Sequence, residues 1–526
     1  MTRFVHELVS HIAQSKGDDK ALVFQDQSLS YSQVNELMMS YAKQLHSVGC
    51  ERFDRVAVYL PKSIESVVSL FAISCAGGCF VPVNHVLKAP QVAHILNDCA
   101  ARILITSSDR LRSLNDCLLN CESLQHIILI DKIVESTAFL AQSLLGSSNF
   151  TSQSTQLPGP ATDQDMVAIL YTSGSTGKPK GVVLSHRNII AGAESVSEYL
   201  QLSPKDVILA LLPMSFDYGL NQITSSFFSG APCILMDYFL AGDVVKAIEK
   251  HGVTGLAAVP PLWQQLTNAK WTIQAANSLR YFTNSGGAMP LPVLARLREL
   301  FIGAKPFLMY GLTEAFRSTY LPPELIDEKP GSMGKAIPNA EILILRPDGS
   351  ECSVDEPGEL VHRGPLVSLG YWNAPEKTAE RFKPLTPPFT GLTIPEIAVW
   401  SGDTVRRDVD GYLFFVGRHD EMIKTSGYRV SPTEVEDAVY AAHSDVKEVV
   451  ACGVPDAALG QAIVINVVLS VDTCLQANEL ATMIKRELPN FMHPKYIEIV
   501  EMLPRNANGK VDRSLISKAS RERYSA

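Results

Sequence analysis

The sequence predicts an α/β protein, with a large N-terminal domain of sheets wound with helices and a small α+β domain behind it. Short β-branched runs, "RVAVYL", "RILITS", "HIILI", "CILMD" and "GLAAVP", alternate with helical patterns, the signature of sheet covered by helices on both faces. At 526 residues the chain exceeds what one hydrophobic core organises, so at least two domains are expected. After "GYLFFVGRHDEMIKTSGYRV" the pattern changes to a compact series: the helix "SPTEVEDAVYAA", the strands "VKEVVACGV" and "AIVINVVLS", another helix, then "YIEIVEMLP". A boundary at Gly417 to Asp420 divides residues 1–417 from 418–526.

The elements follow in order. The N-terminal "MTRFVHELVSHIAQSKGDDK" reads as an amphipathic helix carrying acidic residues and not as a signal peptide, so a cytoplasmic location is expected. "VVSLFAISCAGGCFVPV", Val67 to Val83, is broken by Gly77-Gly78 and falls short of the roughly 20 apolar residues of a spanning helix. It reads as a buried helix, a turn and a strand. The ten cysteines sit mostly in apolar settings, which fits free thiols in a reducing compartment. Cys75/Cys79 and Cys117/Cys121 have i, i+4 spacing, but no histidine or further cysteine cluster completes either pair, so core packing is favoured over a metal. The polar stretch from Glu135 to Asp165 reads as an exposed connection and "PLTPPFTGLTIPE" as a surface insertion. A net charge of -9 gives no reason to expect a nucleic-acid partner.

Between Tyr171 and Gly181 the chain reads "YTSGSTGKPKG". An apolar run, Met166 to Leu170, leads into it, and a strand followed by a helix beginning near Ser185 leads out. Glycines Gly174 and Gly177 let backbone N–H groups point inward, Thr172, Ser173, Ser175 and Thr176 add donors, and Lys178 and Lys180 add charge. Such a loop suits a polyphosphate. It is not a Walker A loop, since the spacing is wrong. A solvated glycine-serine linker is the alternative, and the flanking apolar runs weigh against it.

Further along stand "YGLTEA" from Tyr310, "GELVHRG" from Gly358, "WSGDTVRRD" from Trp400, "GRHDEMIKTSGYRVSPTEVE" from Gly417 and "LPRNANGKVDR" from Leu503. With the loop, these six motifs occur in the order seen in the AMP-forming adenylate ligases: acyl-CoA synthetases, amino-acid adenylation domains and luciferases. The resemblance covers nearly the whole chain. The stretches "FTNSGGAMP", "YGLTEAFRSTYLPPE" and "EIAVWSGDTV" are most similar to the exosortase-A-system-associated acyl-CoA ligases and the stand-alone prolyl-carrier-protein ligases close to them.

The resemblance implies the adenylate-forming ligase fold, with a mobile C-terminal domain, and a two-step reaction using ATP and Mg²⁺. An acid attacks the α-phosphate of ATP to give an acyl-AMP, which then passes to a thiol. Residues Thr172 to Lys180 would wrap the β- and γ-phosphates. Thr313 and Glu314 resemble the pair that reaches phosphate and Mg²⁺, a cation that prefers oxygen ligands. Asp403 resembles the carboxylate that accepts both ribose hydroxyls, with Arg418 as companion. Gly286, Gly287 and Ala288 would let adenine lie against bare backbone, with Tyr310, next to Gly311, stacking from the other side. Lys510 resembles the lysine that bridges carboxylate and α-phosphate; a hairpin tip is the bland alternative. The small domain would then rotate about Asp420 and present Lys424 and Gly427 to the thiol.

For the acid, "LPMSFDYGLNQ" places Phe216 at the gate position and Asp217 next. Amino-acid adenylation domains read "FD" there, the aspartate holding the substrate ammonium. A buried carboxylate needs a cationic partner, so an amino acid is favoured over a fatty or other organic acid, with proline the first guess through kinship. Helix capping, or pairing with Arg317, is the alternative for Asp217. The rest of the pocket is expected from Tyr218, Asn221, Leu262, Thr283, Ser285, Met309 and Arg317. Arg317 departs from an apolar proline pocket and could recognise a second acidic group. Only "VDRSLISKASRERYSA" follows Lys510, so the thiol is expected to be coenzyme A or a phosphopantetheinylated carrier protein supplied in trans.

Overall fold

The computed structural model describes residues 2–131, 143–146, 157, 159–172, 179–385, 394–418, 421–425, 428–456, 459–471, 473–488, 490–506 and 509–524. A seven-stranded sheet runs in the order Ser143–Gly146, His126–Leu129, Ile103–Thr106, Arg55–Tyr59, Cys79–Pro82, Met166–Thr172, Lys180–Ser185. All its pairings are parallel except the last, where Thr172 lies opposite Lys180. The strand Ser143–Gly146 extends this sheet from within the stretch that reads as an exposed connection. Its parallel neighbour at His126–Leu129 supplies hydrogen bonds that a sequence without period does not announce.

A fourteen-stranded sheet forms the second layer. Its middle is parallel: Cys233–Leu235, Ile208–Ala210, Gly255–Ala258, Tyr281–Asn284 and Lys305–Tyr310. From Thr319–Leu321 onward it turns antiparallel through Ser332–Ala336, Leu413–Arg418, Ile397–Arg407 and Gly358–Arg363. The strands from Ile423 onward form a separate five-stranded sheet, whose longest members are Val446–Asp456 and Gly460–Leu469.

One core joins the two large sheets through the helices between them. Val67 and Phe71 on Ile64–Cys75, Ile189 on His186–Tyr199, and Ile223 and Phe227 on Asp217–Ser229 share it. Phe71 and Phe227 meet edge to face at 5.1 Å. The helix expected near Ser185 starts at His186, because Ser185 caps it by accepting from the Asn188 N–H at 3.3 Å. Val67 to Val83 folds as read, a buried helix, a turn at Gly77 and the strand Cys79–Pro82. Eight of the ten cysteines are buried, Cys75, Cys79 and Cys121 among them. No helix among the described residues is long and apolar enough to cross a membrane.

Candidate active site

Hydrophobic strands place their ends, and the turns beyond them, along one rim of the large sheet. Lys305–Tyr310 delivers "YGLTEA", and Tyr281–Asn284 delivers Ser285 and Gly286. Across the gap, the paired strands Met166–Thr172 and Lys180–Ser185 bring Thr172 and Lys180 to the same rim. Ser173, Gly174, Ser175, Thr176, Gly177 and Lys178, the body of the expected phosphate loop, lie outside the described residues, as do Asp420 and Gly427. The backbone of Lys424 lies on the strand Ile423–Thr425, opposite Arg429.

Lys180 Nζ donates to Glu314 Oε1 at 3.1 Å and to the Tyr371 hydroxyl at 2.6 Å, and Tyr371 in turn donates to Glu314 Oε1 at 2.6 Å. Burial alone would raise the Glu314 carboxyl; the Lys180 charge and the Tyr371 hydrogen bond outweigh it and hold Glu314 below the usual glutamate range. Burial, in turn, holds Lys180 below the usual lysine range. Tyr371 is absent from the sequence-based site. Its partner Lys180 is 191 residues away, and no spacing rule connects them.

Asp403 faces Arg418 across paired strands at 3.2 Å and accepts from the Tyr310 hydroxyl at 2.5 Å. Gly287 and Ala288 are exposed, and the Gly287 carbonyl accepts from Asn284 Nδ2 at 3.0 Å.

Lys510 comes from the other side of the molecule. The Arg505↔Val511 bridge closes a tight turn in which Gly509 has φ +78° and Lys510 N–H donates to Asn506 Oδ1 at 3.1 Å. This is a hairpin tip, and it points into the site. Lys510 Nζ lies 4.4 Å from the centre of the Phe216 ring. Gly286, at φ +81°, is the floor beneath it: a Cβ there would come within 2.8 Å of Lys510 Cε and 3.3 Å of Nζ. Desolvation holds the Lys510 ammonium below the ordinary lysine range, Asp217 and Glu314 pull it back up, and Arg317 and Arg418 push it down. The charges of Glu314 and Arg418 and those of Asp217 and Arg317 therefore all act on Lys510.

Phe316, a bulky residue at φ +56°, makes the turn that brings Glu314 and Arg317 to the same rim. Such a conformation costs on the order of 1–3 kcal/mol and persists only where the surroundings enforce it. Here the Phe316 ring is fully buried against Gly192, where an added Cβ would come within 2.2 Å of it.

Asp217 takes the alternative weighed for it, a pairing with Arg317. Asp217, the first residue of its helix, is 3% exposed and already has partners: Oδ1 accepts from Thr313 Oγ1 at 3.0 Å and Oδ2 from Arg317 Nη1 at 2.7 Å. The cation that a buried carboxylate requires is supplied by the protein, so Asp217 does not by itself demand a substrate ammonium. Arg317 also donates to the Phe316 carbonyl at 3.0 Å and lies over the Tyr218 ring at 4.6 Å. Tyr218, Asn221, Thr283 and Met309 line a cavity of about 30 Å³ floored by Val196, Leu200 and Ile208. Ser285 is buried at the strand end above. Leu262 departs from the expected set and lines a different cavity, of about 320 Å³, with Leu60, Val83, Ser215, Arg505 and Gly509.

Comparison with known proteins places this geometry among relatives. The family model "AMP-binding enzyme" matches residues 9–372, and "AMP-binding enzyme C-terminal domain" matches residues 434–510. A long-chain-fatty-acid–CoA ligase of Salmonella typhimurium is 29% identical over 534 residues, covering 96% of this chain and 92% of the relative. Tyrocidine synthase 3 of Brevibacillus parabrevis is 29% identical over 521 residues, 98% of this chain, which thus spans only 8% of that much longer protein. Among solved structures, the anthranilate CoA ligase AuaEII in complex with anthranoyl-AMP has a TM-score of 0.87 at 23% identity, covering 100% of this chain and 99% of that one. The o-succinylbenzoate CoA synthetase MenE of Bacillus subtilis, in complex with its acyl-adenylate, has a TM-score of 0.80 at 26% identity, covering 97% of each chain.

Proposed function

The chain belongs to the AMP-binding enzyme family, and from that premise we propose that it is an AMP-forming acid–thiol ligase that uses ATP, activates a short polar acid as acyl-AMP and transfers it to a phosphopantetheine thiol. The observation that carries this reading is Lys510 of the C-terminal region, held over Phe216 and Gly286 and within electrostatic reach of both Glu314 and Asp217.

A carboxylate oxygen attacks the α-phosphorus, and the bond to the pyrophosphate oxygen breaks with its electron pair. Negative charge passes from the attacking carboxylate through the α-phosphate to the departing pyrophosphate oxygen in the transition state, so cations fixed beforehand along that path stabilise it more than the ground state. Lys510 holds the incoming carboxylate against the α-phosphate. Lys180 and the loop beginning at Thr172 take the leaving pyrophosphate. Asp403 accepts the ribose hydroxyls, and Tyr310 and Gly286–Ala288 bracket the base.

The residues present fit Mg²⁺. Glu314 is held anionic at the rim and Thr313 retains hydroxyl lone pairs, the one-carboxylate donor set that this cation completes with phosphate oxygens and water. Bound there, Mg²⁺ would neutralise phosphate charge. In the second step a thiolate attacks the acyl carbon and AMP leaves. The cavity of about 320 Å³ between Leu60, Val83, Leu262 and Gly509, largely apolar and open past Ser215, is the route we assign to the thiol arm. Residues 418–526 are read as the mobile domain, with the hinge at Asp420 and Lys424 and Gly427 facing the thiol.

The small acid cavity, floored by Val196, Leu200 and Ile208, favours a short acid over a long acyl chain. An amino acid loaded onto a carrier protein in trans is the second reading, supported by the likeness to tyrocidine synthase 3. Both readings are tested by incubating the protein with ATP, Mg²⁺, an acid panel, and either coenzyme A or a phosphopantetheinylated carrier. AMP, pyrophosphate and thioester in equal amounts are expected. Formation of ADP and phosphate would contradict the proposal.

A further inference from the structure

Arg317 is 2% exposed, and its Nε and Nη2 have no hydrogen-bond partner, while Nη1 alone serves Asp217 and the Phe316 carbonyl. Leaving buried donors unmade is costly, and more so on a charged group. The same helix that begins at Asp217 carries Asn221 one turn on, also buried, and its Nδ2 is unpartnered as well. Asn221 and the Tyr218 ring beneath the guanidinium both line the cavity of about 30 Å³.

The two open nitrogens are the side-on edge of a guanidinium, whose parallel N–H bonds match the two oxygens of one carboxylate. The protein uses this edge elsewhere: Arg52 donates through Nε to Asp165 Oδ2 at 2.9 Å and through Nη2 to Oδ1 at 2.6 Å. At Arg317 the edge is built and no protein carboxylate fills it. The reacting carboxylate has its own cation in Lys510, which lies over the Phe216 ring.

We propose that the Nε–Nη2 edge of Arg317, helped by Asn221 Nδ2, receives a second carboxylate of the substrate, so that the enzyme activates one end of a short dicarboxylic acid, with or without an amino group. The inference rests on the adenylating function proposed above. The cavity that Asn221 and Tyr218 line, about 30 Å³, is too small for an extended acyl chain.

ATP–pyrophosphate exchange with acids of matched carbon number tests it: malonate against propanoate, succinate against butanoate, glutarate against pentanoate, aspartate against 2-aminobutanoate. One diacid is expected to exceed its monoacid by about 100-fold in kcat/KM, because the monoacid leaves the edge unpaired. Arg317→Lys keeps a cation beside Asp217 but removes the paired edge, and should lower the diacid-to-monoacid ratio of kcat/KM by about 100-fold, a change of preference that general damage to the fold would not produce. Asn221→Leu should erode the same preference by about tenfold and serves if the arginine variant does not fold. Monoacids preferred by the wild-type protein would overturn the inference, as would equal loss with both acids in either variant, the result expected if Arg317 holds the reacting carboxylate. No exchange with any acid would sink the adenylating function itself, and this inference with it.

Discussion

At the nucleotide end of the site the polar groups bond one another: Lys180, Glu314 and Tyr371 close a triangle, and Asp403 sits between Tyr310 and Arg418. At the acid end, Asp217 is satisfied by Thr313 and Arg317, yet Arg317 and Asn221 hold donors open inside the fold. Under the proposed function the difference follows the ligands. A nucleotide brings the same charges every time, so fixing its cations in advance lowers the barrier without reorganisation. An acid is selected, and selection comes from donors left costly until the right group arrives. Lys510 stands where the two ends meet.

The sharpest break of this comparison removes the meeting point. Lys510→Ala should lower acyl-AMP formation by about 1,000-fold or more and leave thioester formation from supplied acyl-AMP within a fewfold of wild type. Equal loss in both half-reactions would show that Lys510 is not specific to the first. A smaller displacement gives a graded effect: Gly286→Ala puts a methyl within 2.8 Å of Lys510 Cε, at a φ of +81° that alanine resists. We expect about a 100-fold loss of adenylation, with the thioester half again spared. Single-turnover measurement of each half-reaction reads both variants.

Loosening only the nucleotide end is milder. Tyr371→Phe removes one hydroxyl from the Lys180–Glu314 triangle and should cost about tenfold, seen as a higher KM for ATP with acid preference unchanged. A shift in acid preference would blur the distinction between the two ends.

The smallest effect concerns the scaffold behind the acid end. His362 is fully buried, its Nδ1 within hydrogen-bond distance of Ser318 Oγ at 2.9 Å, next to Arg317, and burial lowers its imidazole to about 3. The unfolded chain takes up this proton near pH 6.5 and the folded chain does not, so stability is lost as pH falls from 6.5 towards 3. At pH 5 that amounts to about 2 kcal/mol. Denaturation midpoints at pH 7 and pH 5 should differ less in His362→Gln than in wild type, and an equal difference would remove His362 from the account.

Much of this was legible in the sequence, unevenly. The alternating strands and helices were readable because burial imposes a period, and Ser185 marked a helix start by its capping chemistry. The residues assigned to the nucleotide end sit in contiguous motifs, with Thr172, Lys180, Glu314, Asp403, Arg418 and Lys510 each standing in one, and the structure brings Lys180 to Glu314 and Asp403 to Arg418. Tyr371 was not legible, since it joins the site only through tertiary packing. The acid end was half legible. "FD" drew attention to Asp217, but whether a buried aspartate awaits a substrate cation or already has Arg317, a hundred positions away, is decided by packing that no local pattern encodes.

The central claim is that a carboxyl oxygen of the acid attacks the α-phosphorus under the joint charge of Lys510 and the nucleotide end. Its most direct test uses an acid labelled with ¹⁸O in the carboxyl to be activated, run to thioester, with the products examined by mass spectrometry. The account predicts one ¹⁸O in the phosphate of AMP and none in pyrophosphate. Label in pyrophosphate, or AMP free of label, would contradict it.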